Sequence, residues 1–170
     1  MQRPATNEYQ SYFATYVNLV PDGEIGDILA GQREEVVSLF RSIAEERGDY
    51  RYQPDKWSIK QVLGHMMDTE RVMAYRLMCV ARGETVSLPG FDENVYMSGA
   101  GFERRTLQSL IEEYSAVRGA TLALVANVPE EGWTRLGNAN NSVVSARALA
   151  YIIAGHERHH MGVLKERYSV

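Results

Sequence analysis

Three of the chain's four histidines fall within Gly155-His156-Glu157-Arg158-His159-His160, and the fourth, His65, lies about ninety positions upstream. Their placement constrains the fold more than any other feature. Apolar residues recur at helical spacing over 145–167, and a step of about 100° per residue fixes where each side chain points. With His156 as zero, Leu149, Ile152, Ile153, Val163 and Arg167 fall within about 60°, so His156 shares its direction with the apolar stripe. His160 lies about 40° away, inside the stripe, and His159 about 60° away on the other side, at its edge. Lys165 and Arg158 point to the opposite face. Two imidazoles one turn apart and aimed into a core need a partner. A bound metal is the sharpest explanation, and core histidines satisfied by ordinary hydrogen bonds are the alternative.

The remaining helices can be traced along the chain. Residues 1–20 carry Tyr9, Tyr12, Phe13, Tyr16 and Val17, the spacing of an extension packed over core edges. Ile25, Ile28, Leu29, Val36, Leu39, Phe40 and Ile43 then mark a first bundle helix over 24–47, with Gly48 as its stop. The second helix has the clearest start: Ser58 followed by Gln61 forms a capping box, and Trp57 and Val62 are placed as the hydrophobic staple. It runs over 59–82, with Leu63, Met67, Ala74 and Met78 as a second apolar strip opposite the first, which predicts a homodimer contact. Residues 83–102 read as a loop rich in Gly, Pro and Ser, long for a bundle whose connections usually take about 2–8 residues. A third helix covers 103–128 and the fourth 145–167, joined by a connection over 130–144. No segment shows convincing period-2 strands. The expected fold class is all-α, a four-helix bundle forming one domain over 1–170.

His65 lies about eight residues into its helix, whereas His156 and His160 lie past the middle of theirs. Antiparallel helices bring the three to similar heights; parallel ones leave a mismatch of over about 10 Å at 1.5 Å per residue. The second and fourth helices are antiparallel in an up-down-down-up bundle, which needs a long crossover between the second and third. The 83–102 loop sits there, and at up to ~3.3 Å per residue it spans a helix of about 36 Å.

Composition sets the class. A chain of 170 residues, 45% hydrophobic and 24% charged, is ordinary for a globular domain with its own core, which excludes general disorder. A net charge of -4 leaves no basic footprint for nucleic acid. The single cysteine, Cys79, has no internal disulfide partner, which fits a cytoplasmic location. Residues 1–20 lack the apolar stretch of a signal peptide, and no run approaches the roughly 18 apolar residues of a membrane span.

Further patterns carry weaker signals. His156-Glu157-Arg158-His159-His160 satisfies H-E-x-x-H, but no ligand-bearing segment follows and no strand is visible to hold a peptide, so a zinc protease is set aside. Glu157-x-x-His160 is half of a di-iron signature whose other half is missing. Glu157 is a candidate base beside the first ligand, with a solvated or supporting carboxylate as the plainer role. Asp68, one turn after His65, reads as an imidazole acceptor or a surface carboxylate. Arg76, three turns after His65, reads as a structural ion-pair partner in preference to a substrate clamp, and Asp92 and Glu93 as residues placed to cap the site mouth.

Trp57-Ser58-Ile59-Lys60-Gln61-Val62-Leu63-Gly64-His65-Met66-Met67-Asp68-Thr69-Glu70-Arg71 resembles the second-helix signature of the DinB-like proteins, and Gly155–His160 resembles their last-helix signature. Leu88-Pro89-Gly90-Phe91-Asp92 and the stretch around Trp133 are similar as well. The resemblance implies an up-down-down-up bundle, often dimeric, with a metal held by His65, His156 and His160. It also implies membership of a group that includes metal-dependent hydrolases and S-transferases or isomerases using bacillithiol or mycothiol. The expected cofactor is a divalent ion, with zinc, nickel, manganese and iron all acceptable to imidazoles. The expected partner is a small molecule, a low-molecular-weight thiol among the options. A non-catalytic, stress-associated metal-binding dimer is the alternative.

Overall fold

The computed structural model describes residues 1–170. In chain order its elements are α1 (Ala14–Val17), α2 (Ile25–Ser42), α3 (Ile59–Ala81), α4 (Glu93–Ala100), α5 (Leu107–Ala126), β1 (Leu136–Ala139), β2 (Ser142–Ser145) and α6 (Ala146–Tyr168). The four long helices α2, α3, α5 and α6 form the bundle.

Local hydrogen bonds explain where they begin and end. The capping box at α3 forms as expected, with Ser58 Oγ accepting from the Gln61 N–H at 3.3 Å and Gln61 Oε1 accepting from the Ser58 N–H at 3.0 Å. Ser145 caps α6 by accepting from the Ala148 N–H at 3.0 Å. α5 starts later than the expected 103, because Thr106 accepts from the Ser109 N–H and Glu45 accepts from the Leu107 N–H, satisfying two orphan donors there. α2 ends before the expected 47: Ile43 is extended, and the chain beyond it sets Glu45 against α5 and 3.1 Å from the Lys60 ammonium.

Contacts at the helix ends give each helix its direction. Tyr168, closing α6, donates to the Trp57 carbonyl before α3, and Arg135, upstream of α6, donates to the Ala81 carbonyl at the end of α3, both at 2.6 Å. α3 and α6 are therefore antiparallel. α5 runs with α3, since Phe102 lies on Gly64 and Arg118 bonds Glu70. α2 opposes both, its Gly26 facing Val125 and its C-terminal side reaching Leu107. The result is an up-down-down-up bundle. The segment joining α3 to α5 exchanges backbone hydrogen bonds with the hairpin, Leu88 to Asn138 and Asn140 to Leu88 at 2.9 Å each, before Phe102 reaches the start of α3.

Two pieces of this frame depart from expectation. The 83–102 stretch contains α4, started by Asp92, whose carboxylate accepts from the Asn94 and Val95 N–H groups at 2.8 and 3.1 Å. The 130–144 connection contains the antiparallel pair β1–β2, in register Leu136↔Ser145 to Ala139↔Ser142. Its turn, Asn140-Asn141, has φ of 52° and 59°, the left-handed pair that a two-residue hairpin requires and that asparagine tolerates.

The core forms two apolar clusters, one built around Leu29, Leu77, Leu149 and Ile152, the other around Phe40, Leu63, Leu110 and Leu164. Between them, at mid-height, sits a buried ion network. Arg118 donates Nε and Nη2 to Glu70 at 2.8 Å each, Nη1 to the Leu29 carbonyl at 2.9 Å, and Nη2 to Glu157 at 2.7 Å, and Tyr114 donates to Glu157 at 2.7 Å. All four long helices meet in it. The proposed dimer strip is not a free face, because Leu63 and Met67 are fully buried within the chain's own second cluster. No helix is long and apolar enough to cross a membrane.

The N-terminal residues pack on α6. Gly155 permits this: a Cβ there would collide with the backbone carbonyl of Tyr16. Glu8 fastens the same segment, accepting from Ser145 Oγ at 2.7 Å and from Arg147.

Candidate metal centre

The antiparallel setting of α3 and α6 brings His65, His156 and His160 to one height. His65 Nε2 lies 3.0 Å from His156 Nε2, and His160 Nε2 lies 3.1 Å from the same atom. All three donor atoms lie within 4.8 Å of one another. Hydrogen bonds alone serve this arrangement poorly. His156 Nε2 faces two imidazole nitrogens, and as an acceptor it has a single lone pair for both. The two spacings about His156 suit a shared cation better, since metal–nitrogen bonds of about 2.0–2.1 Å at right-angled to tetrahedral openings separate ligand atoms by about 2.9–3.4 Å. The donor set therefore fits a divalent ion.

The electrostatics favour the form that ligates. Burial pushes the His65 pKa down to about 4, against a smaller upward pull from Glu93. Burial, then His65 and His159, takes His160 down to about 3. His156 is driven well below its ordinary value by burial and by the other three histidines. At neutral pH all three rings are uncharged and can offer lone pairs. Aromatic rings hold them in place: the ring centres of Trp57 and His65 lie 4.6 Å apart, and those of Tyr16 and His156 lie 5.4 Å apart with the planes at 75°. His159 stays outside the cluster, packed 5.6 Å from Tyr16.

A cavity of about 180 Å³ opens beside His65 and His156. One wall is the face of α3 carrying His65, Thr69, Met73 and Arg76; α6 contributes Leu149 and Ile152 opposite. The N-terminal segment, the hairpin and residues Phe91 and Glu93 of the α3–α5 connection complete its lining. Only the acidic part of this lining was legible in advance, because three separate loops converge on it. Of the two acidic residues expected at the mouth, Asp92 is spent as the α4 cap and Glu93 faces the cavity, near enough for its charge to act on His65 and Tyr16.

The structure decides between the alternatives for Glu157 and Asp68 and overturns the ion-pair reading of Arg76. Glu157 is not placed as a base, since its oxygens accept from Tyr114 and Arg118, and it borders a different hollow from the histidines. Neighbours on a helix point about 100° apart, so His156 and Glu157 enter different interiors. Asp68 does not orient an imidazole; it pairs with Arg71 at 3.4 Å. Arg76 is not in an ion pair: its partners are the Pro89 carbonyl at 2.6 Å and Met73 Sδ at 3.6 Å.

Comparison with known proteins agrees with this frame. YfiT from Bacillus subtilis, described as a probable metal-dependent hydrolase with an unusual four-helix bundle topology, superposes with a TM-score of 0.70 at 14% identity, over 99% of this chain and 94% of that one. A DinB-like protein of the same organism, YjoA, gives 0.59 at 21% identity, over 84% of this chain and 87% of that one. No curated relative matches in sequence. The model of the DinB superfamily matches residues 28–164, from the first bundle helix through all three clustered histidines, and the chain belongs to that superfamily.

Proposed function

We propose that this protein is a divalent-metal-dependent hydrolase acting on a small molecule. The observation that carries the reading is the convergence of three imidazoles beside a cavity that His65 and His156 line. The description of YfiT as a probable metal-dependent hydrolase points the same way.

Each residue then has a task. His65, His156 and His160 would hold the ion, whose Lewis acidity makes water or a thiol nucleophilic near neutral pH. Trp57 and Tyr16 fix the rings of His65 and His156 and exclude bulk water from one side. Glu93 is the carboxylate facing the cavity beside His65 and is the proton acceptor in this proposal. The cavity distinguishes an enzyme from a purely structural site, because a closed structural centre needs no room for substrate. Zinc, nickel, manganese or iron would serve, and a thiol in place of water would make the same centre an S-transferase. Pairing of two copies is part of the proposal, through a surface other than the Leu63–Met67 strip, and a monomer by light scattering at micromolar concentration rejects it.

The test replaces each histidine singly with alanine and measures metal per chain. Loss is expected in H65A, H156A and H160A, with retention in H159A. E93Q should keep full metal and lose at least tenfold in turnover of an ester or thiol-adduct substrate. Full metal content in H65A, or loss in folded H159A, defeats the proposed centre.

A further inference from the structure

Arg76 is 5% exposed and lines the cavity, yet no carboxylate pairs with it. A guanidinium has five N–H donors, and the carbonyl and thioether it meets use two of them. A buried charge without a counter-ion is unfavourable unless something supplies one. Arg76 lies eleven residues after His65, which is about 16 Å along the helix and within about 20° of the same face. The guanidinium and the histidine cluster therefore stand at two ends of one slot.

The wall between them is mostly apolar, with Met73, Phe91, Leu149 and Ile152.

We propose that Arg76 anchors a carboxylate at the far end of an elongated substrate, whose middle is apolar and whose reacting group lies at the histidines. Arginine suits that task because its planar fork matches a carboxylate's two oxygens. The location of the reacting group rests on the hydrolase reading; the carboxylate site at Arg76 does not.

Octanoate and its neutral analogue octanamide serve as probes, with binding measured by calorimetry on zinc-loaded and zinc-free protein. Wild type should bind octanoate at least about tenfold more tightly than octanamide with or without zinc. In R76M the preference should disappear while octanamide binding is unchanged. The Arg76 Nε–H resonance of the wild-type protein should shift with octanoate and stay put with octanamide, a readout that holds even where R76M fails to fold. Equal binding of the two probes, an unmoved resonance, or a preference that survives in R76M overturns the assignment. So does octanoate binding that needs zinc, because the carboxylate would then sit at the histidines. Failure of the histidine variants to lose metal would sink the hydrolase reading and leave these results standing.

Discussion

Replacing Arg118 with methionine probes the buried network directly. The side chain is fully buried and serves two carboxylates and the Leu29 carbonyl. Methionine fills much of the volume but donates no hydrogen bond. Removing one partner from a buried ion pair costs about 3–5 kcal/mol. Two carboxylates are stranded here, but one can take up a proton: burial already pushes the Glu157 carboxyl up, with Arg118 as the opposing pull. The expected loss is therefore about 4 kcal/mol at pH 7, near the cost of one broken pair and not of two. Against a typical stability of about 5–15 kcal/mol that is large and measurable.

Glu157→Gln is the matched control. The amide oxygen can keep the bonds from Tyr114 and Arg118 Nη2, and only the 3.3 Å contact with Arg118 Nη1 is lost. A carboxyl whose folded pKa is raised contributes stability that is whole below its unfolded value near 4.5 and is lost as pH rises through the folded value. The amide removes that liability, so E157Q should stay within about 1 kcal/mol of wild type. Urea unfolding at pH 7, followed by circular dichroism at unchanged m-value, measures both. A cost below about 1 kcal/mol for R118M, or equal costs for the two variants, would refute the assigned roles.

Gly155→Ala drives a methyl into the Tyr16 backbone, so it should cost about 1–3 kcal/mol and make residues 10–17 susceptible to limited proteolysis, while G162A, with open space around its Cβ, should do neither. Glu8 gives an acid signature: burial raises its pKa, but hydrogen bonds from Arg147 and Ser145 outweigh that and hold it at about 2. Its contribution, roughly 1–2 kcal/mol after allowing for solvent screening, is present above about pH 4.5 and lost as pH falls through about 2, so E8Q and wild type should converge in stability over that window.

The long helices were legible from their 3.6-residue apolar period, and the second also from its start signal, Ser58 with Gln61. The histidine heights were legible for the same reason, since rise per residue converts sequence separation into position. The hairpin was missed because its strands are four residues each and hold few apolar side chains; Asn140-Asn141 before Ser142-Val143-Val144 was the available signal. Arg118 was hidden for another reason. It lies on α5 among Tyr114, Thr121 and Val125, and one arginine on an apolar face becomes meaningful only when Glu70 and Glu157, from two other helices, arrive beside it. Arg76 was misread on the same ground, because spacing along α3 cannot say which loop will fold over it.

The network and the histidine cluster both tie α3 to α6, through Glu70 and Glu157 in one case and His65 and His156 in the other. On α6 the two functions fall to the neighbours His156 and Glu157, on α3 to His65 and Glu70 further along, and a metal should act as a second fastening independent of the first. Anything that binds only the folded state stabilises by RT ln(1 + [L]/Kd), about 2.7 kcal/mol at one hundred times Kd. Zinc at that excess should raise the wild-type unfolding free energy by about this amount, and should raise that of E157Q equally, since Glu157 touches none of the clustered imidazoles. H65A should show no such rise, although its network is intact. An equal zinc effect in H65A would place the ion elsewhere on the chain, and a lost effect in folded E157Q would mean that the network and the centre act as one unit.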